Sequence, residues 1–169
     1  MIKALTLAAA LLLLPTAASA QEVFGGIHAH AVGTRLSLGS SREGGVDAQI
    51  GYRLGKIVLG LEPYAFGSLN LKGDTSFAAV GLSRKFGDRF YIRPGIGLAI
   101  HNGSTKDFVV EDRIAFGSRV LIETELGVGA RVSDRLSLEA SWVHFSHGQL
   151  FGGQNPGIDN IGARINLKL

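Results

Sequence analysis

Cysteine is absent from the 169 residues, so no disulfide framework stabilises the fold and its stability has to come from elsewhere. Long apolar runs are absent too, apart from one at the start. Lys3, the apolar stretch Ala4–Leu14 and the small residues Ala18-Ser19-Ala20 have the layout of a secretory signal peptide over residues 1–20. That stretch is too short to cross a bilayer as a helix. The expected mature chain, residues 21–169, is one domain by its length. Within it nothing is apolar for long enough to be a transmembrane helix, and the mixtures of Ala, Glu, Lys and Leu that build helices are scarce. A strong excess of one charge is also lacking. The formal balance is +3, of which Lys3 leaves with the signal, and no basic helix or cluster of Lys and Arg appears. Nucleic acid is therefore not an expected partner.

What is present is glycine, 24 residues of it, and an alternation of period two. From Val46 to Leu54, Val46, Ala48, Ile50, Tyr52 and Leu54 are apolar, while Asp47, Gln49, Gly51 and Arg53 are polar or small. Successive side chains of a strand point to opposite faces, so such a segment has one oily wall and one wet wall. The pattern returns over 90–101 and 119–132. Eight strands are expected, roughly 22–32, 46–54, 57–68, 75–86, 89–101, 118–132, 135–146 and 159–169. Tight turns are expected at Gly55-Lys56, Gly87-Asp88 and Ser133-Asp134, and the alternate connections, 33–45, 69–74, 102–117 and 147–158, are longer.

Short turns at one end and long loops at the other describe an all-β, eight-stranded, antiparallel up-and-down transmembrane barrel. A soluble sandwich or lipocalin-like barrel also alternates, but buries its apolar face. Here the wet face carries Asp47, Arg53, Glu62, Arg93, Glu123, Glu125, Arg131 and Glu139 beside glycines. Small residues and compensating charges suit the narrow interior of eight strands, and the aliphatic face suits lipid. Trp142, Tyr52, Tyr64, Phe90 and Phe108 are the candidates for an interfacial aromatic girdle.

Most of the chemistry-bearing residues fall on the wet face. His28 and His30 share it without a carboxylate or cysteine at ligand spacing, so they read as lumen residues and no metal is expected; His101 reads the same way. Glu123 and Glu125 read as members of an interior ion-pair network with Arg53, Arg93 and Arg131.

His144 and Ser146 differ. They continue the oily series Leu136, Leu138, Ala140, Trp142 of the seventh strand, and Asp159 shares the parity of Ile161, Ala163, Ile165 and Leu167 on the eighth. The two strands are expected to be antiparallel neighbours, which gathers a hydroxyl, an imidazole and a carboxylate on the outer wall. Polar groups facing hydrocarbon are costly without partners. A nucleophile, a base and a group that orients the base are the parts of an acyl hydrolase. Nine residues beyond Arg135, His144 lies on the order of 20 Å up a tilted strand, near the outer-leaflet boundary.

The segment Trp-Val-His-Phe-Ser-His-Gly-Gln-Leu-Phe-Gly-Gly-Gln-Asn-Pro-Gly-Ile-Asp-Asn-Ile-Gly-Ala-Arg, from Trp142 onward, resembles the lipid A 3-O-deacylase family (PagL type), outer-membrane barrels with a His-x-Ser pair, a loop, and an Asn shortly before an acid. The resemblance implies a carboxylic ester hydrolase of the Gram-negative outer membrane that modifies lipopolysaccharide without cofactor or metal. Its partners would be lipid A and the surrounding membrane lipids, with room left for a homodimer. It implies Ser146 as nucleophile, His144 as general base, Asp159 as the orienting acid, and Asn155 with the Gly148 backbone N–H as oxyanion support. Two positions depart from the family: Asp159 stands where Glu is frequent, and His147 where Asn is common. The shorter acid leaves the loop 147–158 to compensate. The competing functions are a non-catalytic small barrel and a lipid A acyltransferase.

Overall fold

The computed structural model describes residues 21–37, 42–106, 113–150 and 155–169. The expected signal segment, 1–20, and Phe108 lie outside them. Nine strands form one antiparallel sheet: β1 (Glu22–Ala29), β2 (Val46–Arg53), β3 (Glu62–Asn70), β4 (Phe77–Ser83), β5 (Phe86–Gly87), β6 (Phe90–His101), β7 (Val120–Arg131), β8 (Leu136–Ser146) and β9 (Ile158–Lys168). Strands adjacent in sequence pair, except that β4 and β5 both pair with β6 and not with each other, and β1 pairs with β9, which closes the barrel. β4 and β5 are one stave. Ser83 faces Gly95 and Phe86 faces Ile92, so the register never shifts. The ladder only lapses at Pro94, which accepts from Arg84 N–H but has no N–H to return. Eight staves result, as the periodicity predicts, with both ends of the barrel chain at the short-turn rim, where Leu169 N–H donates to Gln21 O.

Burial is inverted relative to a soluble protein. Arg53, Arg93, Arg164, Asp47 and Glu123 are buried, while Ile50, Val80, Phe90 and Ile96 stand exposed on the outer wall. Closing the sheet leaves no unpaired edge, the condition for strands to cross hydrocarbon. No helix among the described residues is long and apolar enough to cross a membrane, which has no bearing on strands.

Ion pairs and rings fill the lumen. Arg164 reaches Glu125 at 2.6 Å, Arg93 reaches Glu139 at 3.2 Å, and Glu22 bridges Arg93 and Arg53. The expected participant Arg131 is not part of this network. It has the inward parity but lies at the last residue of β7, on the rim, where it pairs with Asp88 at 3.0 Å. Arg164 takes the interior place. Toward the long-loop end the filling is aromatic, with Phe77 stacked on Phe145 at 4.0 Å and Phe116 edge-on to Phe77. Tyr64, expected in the girdle, points inward and donates to Glu123, because Glu62, Tyr64, Phe66 and Ser68 alternate as one buried face. Glu43 caps this end. Its carboxylate takes hydrogen bonds from His30 (3.1 Å), Thr75 (2.9 and 3.1 Å) and Ile114 N–H (2.9 Å), tying three connections together.

Two strand ends fall short of the expectation. β3 begins at Glu62, because Leu59 and Gly60 take positive φ (61° and 70°) and curl the chain into a 3₁₀ turn over Val58–Gly60. The tight turn expected at Gly55-Lys56 is therefore the wider connection 54–61. β1 stops at Ala29, and Ala31, at φ 54°, bends the following segment across the end of β9.

Candidate active site

The β8–β9 register builds the site. His144 is the direct cross-strand partner of Asp159, and Trp142 the partner of Ile161. Directly opposed residues of an antiparallel pair project to the same side with Cβ atoms about 5 Å apart. An imidazole opposite an aspartate therefore spans the gap without a longer acid, and His144 Nδ1 stands 2.9 Å from Asp159 Oδ1. The expectation that the loop 147–158 makes up for a short acid is replaced by this register, together with a donor from another connection.

That donor is Thr34. The bend at Ala31 lets Val32 N–H donate to Asp159 O at 2.8 Å and Ala31 N–H to Asn160 Oδ1 at 3.0 Å. Pinned there, the chain lays Thr34 over the carboxylate, and its hydroxyl donates to Asp159 Oδ2. Thr34 Oγ1 in turn accepts from Leu36 N–H at 3.0 Å, which fixes the hydroxyl's direction. On the other side Trp142 Nε1–H donates to Asp159 Oδ1 at 2.8 Å. Three side-chain donors thus converge on a carboxylate that is fully buried although it lies on the outward face. Such charge-assisted bonds are what allow a charge to stay out of water.

The imidazole is confined as well. Trp142 lies nearly parallel to it, ring centres 6.0 Å apart. Gly157 packs against its far edge at φ 57°, where a Cβ would come 3.1 Å from His144 Cε1 and 3.0 Å from Leu36 O. Ser146, the last residue of β8, is half-buried on the same face two residues along, opposite Ile122 of β7. Among the described residues no hydrogen bond joins Ser146 to His144. The structure therefore brings His144 and Asp159 together and places Ser146 on the same face, two residues along, without a hydrogen bond to the imidazole.

Asn155 and Gly148 sit in the connection after β8. Asn155 Oδ1 accepts from His147 N–H at 2.9 Å, which holds the loop start and leaves the amide NH₂ as a donor. Gly148 and Gln149, at φ 57° and 62°, form a tight turn closed by Leu150 N–H to His147 O at 2.9 Å. His147 itself has the inward parity and is buried. Among the described residues no group of three or more His, Cys, Asp or Glu side chains is placed to hold a metal ion. His28 and His30 are lumen residues as expected. His28 Nε2 lies 2.5 Å from Ser141 Oγ, and His30 is bracketed by Asp47 (3.0 Å) and Glu43 (3.1 Å).

Comparison with known proteins gives the family and the fold. The sequence profile described as "Lipid A 3-O-deacylase (PagL)" matches residues 34–168. The chain belongs to the lipid A 3-O-deacylase family. Among solved structures it is similar to the outer membrane enzyme PagL, at 16% identity and a TM-score of 0.60, over 88% of this chain and 99% of that one. It is also similar to Neisserial surface protein A (NspA), at 17% identity and a TM-score of 0.52, over 89% and 96% of the two chains. At such identities these likenesses show the barrel fold. No curated protein matches in sequence. The family match begins at Thr34 and runs through the Trp142-to-Asp159 segment, so every residue of the carboxylate's donor set lies inside it.

Sequence reasoning missed Thr34, the bond from Trp142 to the acid, and Gly157. Trp142 was within reach, since it shares the outward parity of His144 two residues away. Thr34 was not, because nothing periodic marks a loop residue as the neighbour of a strand more than a hundred positions later.

Proposed function

We propose that the chain is an outer-membrane serine esterase that removes the 3-O-linked acyl chain of lipid A. The observation that carries this reading is the His144–Asp159 couple, held at 2.9 Å on the outward wall near the long-loop end, with a serine on the same face. A buried carboxylate with three donors, facing lipid, has no role in the ion network of the lumen. Orienting a base for an ester reached by lateral diffusion in the leaflet is the role its position suits.

With Nδ1–H donated to Asp159, the lone pair of His144 resides on Nε2. Rotation of the Ser146 side chain brings its hydroxyl to that nitrogen once substrate packs against the wall; such contacts commonly tighten only in the complex. Nε2 takes the Ser146 proton and Oγ attacks the acyl carbonyl carbon. The Asn155 amide and the Gly148 N–H donate to the developing oxyanion. The carbon–oxygen bond to the sugar then breaks, and His144 returns the proton to the departing 3-hydroxyl. Water, deprotonated by the same nitrogen, cleaves the acyl-serine, releasing a 3-hydroxy fatty acid and restoring Ser146. No step needs a metal or cofactor.

Mass spectrometry of lipid A from cells expressing the chain or its Ser146→Ala variant tests the reading. Loss of one 3-hydroxyacyl mass in the first and not the second is the expected result. A gain of acyl mass would replace hydrolysis by acyl transfer, and unchanged lipid A in both strains would leave a non-catalytic barrel.

A further inference from the structure

The sequence shows no cluster of basic residues, yet barrel closure makes one. The short-turn rim gathers Lys56, Arg84, Arg89, Arg131, Arg135 and Lys168, all exposed, against two exposed side-chain carboxylates, Asp88 and Asp134, while Glu22 and Glu62 at the same end turn inward onto Arg53 and Arg93. Arg131 is taken up by Asp88. Among the described residues the other five cations form no ion pair. Arg89, Arg135 and Lys168 make an arc below β6–β9, because Arg131 N–H donates to Arg89 O and Lys168 N–H to Arg135 O, both at 2.8 Å, and the β7–β8 turn joins Arg131 to Arg135. The long connections at the other end mix both signs in nearly equal number.

A second observation gives the arc a partner. Directly above it the outer wall is recessed. A groove of about 790 Å³ crosses β6 to β9 and β1, floored by Ala130, Ala140 and Ala163 and walled by Phe90, Leu138 and Ile165. Phe90 is 73% exposed at the lower lip of the groove, with the Arg89 guanidinium carbon 5.9 Å from its ring centre, and Arg84 sits likewise 4.9 Å from Phe86. Cations folded over exposed rings at the end of an apolar wall have the form of an interface between hydrocarbon and headgroup.

We infer that this arc and groove bind a phospholipid with a net negative headgroup in the periplasmic leaflet, its phosphate on Arg89, Arg135 and Lys168 and an acyl chain along Phe90, Leu138 and Ile165. The inference rests on the membrane placement proposed above, but not on the catalytic reading. The site is at the opposite end of the barrel from His144. Charge selects the ligand: a zwitterionic lipid satisfies the groove and leaves the arc uncompensated, whereas an anionic one engages both. The bound lipid would fix the depth of the barrel and so hold the far rim level with the outer leaflet.

The test uses the Phe90→Trp, Trp142→Phe double variant, folded into phosphatidylcholine vesicles containing brominated phosphatidylglycerol or, separately, brominated phosphatidylcholine. Quenching of the new tryptophan reports occupancy of the groove. The expected result is preferential quenching by phosphatidylglycerol, roughly fivefold in relative binding for each cation a headgroup engages. High salt and the added Arg89→Gln, Arg135→Gln and Lys168→Gln substitutions should remove the preference. Spin-labelled forms of the same two lipids make the measurement on the unsubstituted chain. Equal association of the two lipids overturns the inference and leaves the arc to an acidic macromolecule of the periplasm. Absence of quenching by either lipid overturns it together with the membrane placement.

Discussion

His144 and Asp159 stand directly opposite each other across the β8–β9 ladder, 2.9 Å apart between Nδ1 and Oδ1. The carboxylate's charge, more than its shape, fixes which nitrogen of the imidazole is basic. Asp159→Asn keeps the volume and removes the charge, so the folded barrel should persist while kcat falls by about 10³–10⁴, the scale seen when a triad acid is made neutral. Release of 3-hydroxy fatty acid from purified lipid A measures this, with gel mobility of the unheated barrel as the folding control. Asp159→Glu should also lose activity, although glutamate is frequent in the family. The added methylene enters a fully buried site already closed by three donors, and overpacking of that kind costs about 1–3 kcal/mol.

Thr34 and Trp142 both donate to the Asp159 carboxylate, which makes them positioning residues in the proposed mechanism. Thr34→Val is nearly isosteric and removes only the hydroxyl. It should lower kcat about tenfold with KM nearly unchanged, from one charge-assisted bond worth roughly 1.5 kcal/mol. Thr34→Ser should restore most of the loss. Trp142→Phe should act in the same direction. Because the two donors share one acceptor, the double variant should depart from the product of the single effects. Strict additivity would mean that they do not act through Asp159.

The barrel and half of the site were legible in the sequence because both depend on strand parity, and parity survives without knowledge of loops. The alternation that predicts a leucine in lipid also predicts that His144 and Asp159 leave the lumen, and it assigns Tyr64 inward when followed strictly. What parity cannot give is height. Arg131 has the inward phase and lies at the rim, whereas Arg164, also inward, falls at the level of Glu125 and Glu139. It cannot give partners contributed by connections either, and so Thr34, Gly157 and Glu43 were invisible. The basic arc was hidden for a related reason: its residues are far apart along the chain, and only closure of the sheet makes them adjacent.

Arg164 is buried between Glu125 and Glu139, with Arg93 and Arg53 completing the network. Arg164→Met would leave two carboxylates short of a counter-charge inside a narrow lumen, and breaking a buried pair from one side costs about 3–5 kcal/mol. Urea unfolding in detergent or lipid should show that loss, with esterase activity per folded molecule preserved because the network does not touch the outer wall. A triple replacement of Arg164, Glu125 and Glu139 by apolar residues of similar size should recover part of the stability. A fall in specific activity without a fall in stability would place Arg164 in catalysis instead.

The cap at the long-loop end has its own pH window. Burial works against charge on His30, but the hydrogen bonds it donates to the Asp47 and Glu43 carboxylates outweigh that and push its pKa up to about 9. Glu43 is held below its ordinary value: burial raises it, and the bonds from His30, Ile114 and Thr75 outweigh that. A raised histidine stabilises fully below its unfolded pKa of about 6.5 and loses that stability as pH rises through the folded value. A lowered carboxylate contributes above about 4.5 and loses its share as pH falls further. The cap should therefore be firmest near pH 5–6.5 and weaken by on the order of 3 kcal/mol toward pH 10, the worth of a histidine shift of this size. Hydrogen exchange of the Thr75 and Ile114 amides, which both bond Glu43, should accelerate between pH 6.5 and 10 beyond the intrinsic base-catalysed rate. His30→Gln, which cannot charge, should abolish that excess. If the wild-type amides keep the same protection across the range, the His30–Glu43 pair does not hold the mouth of the barrel shut.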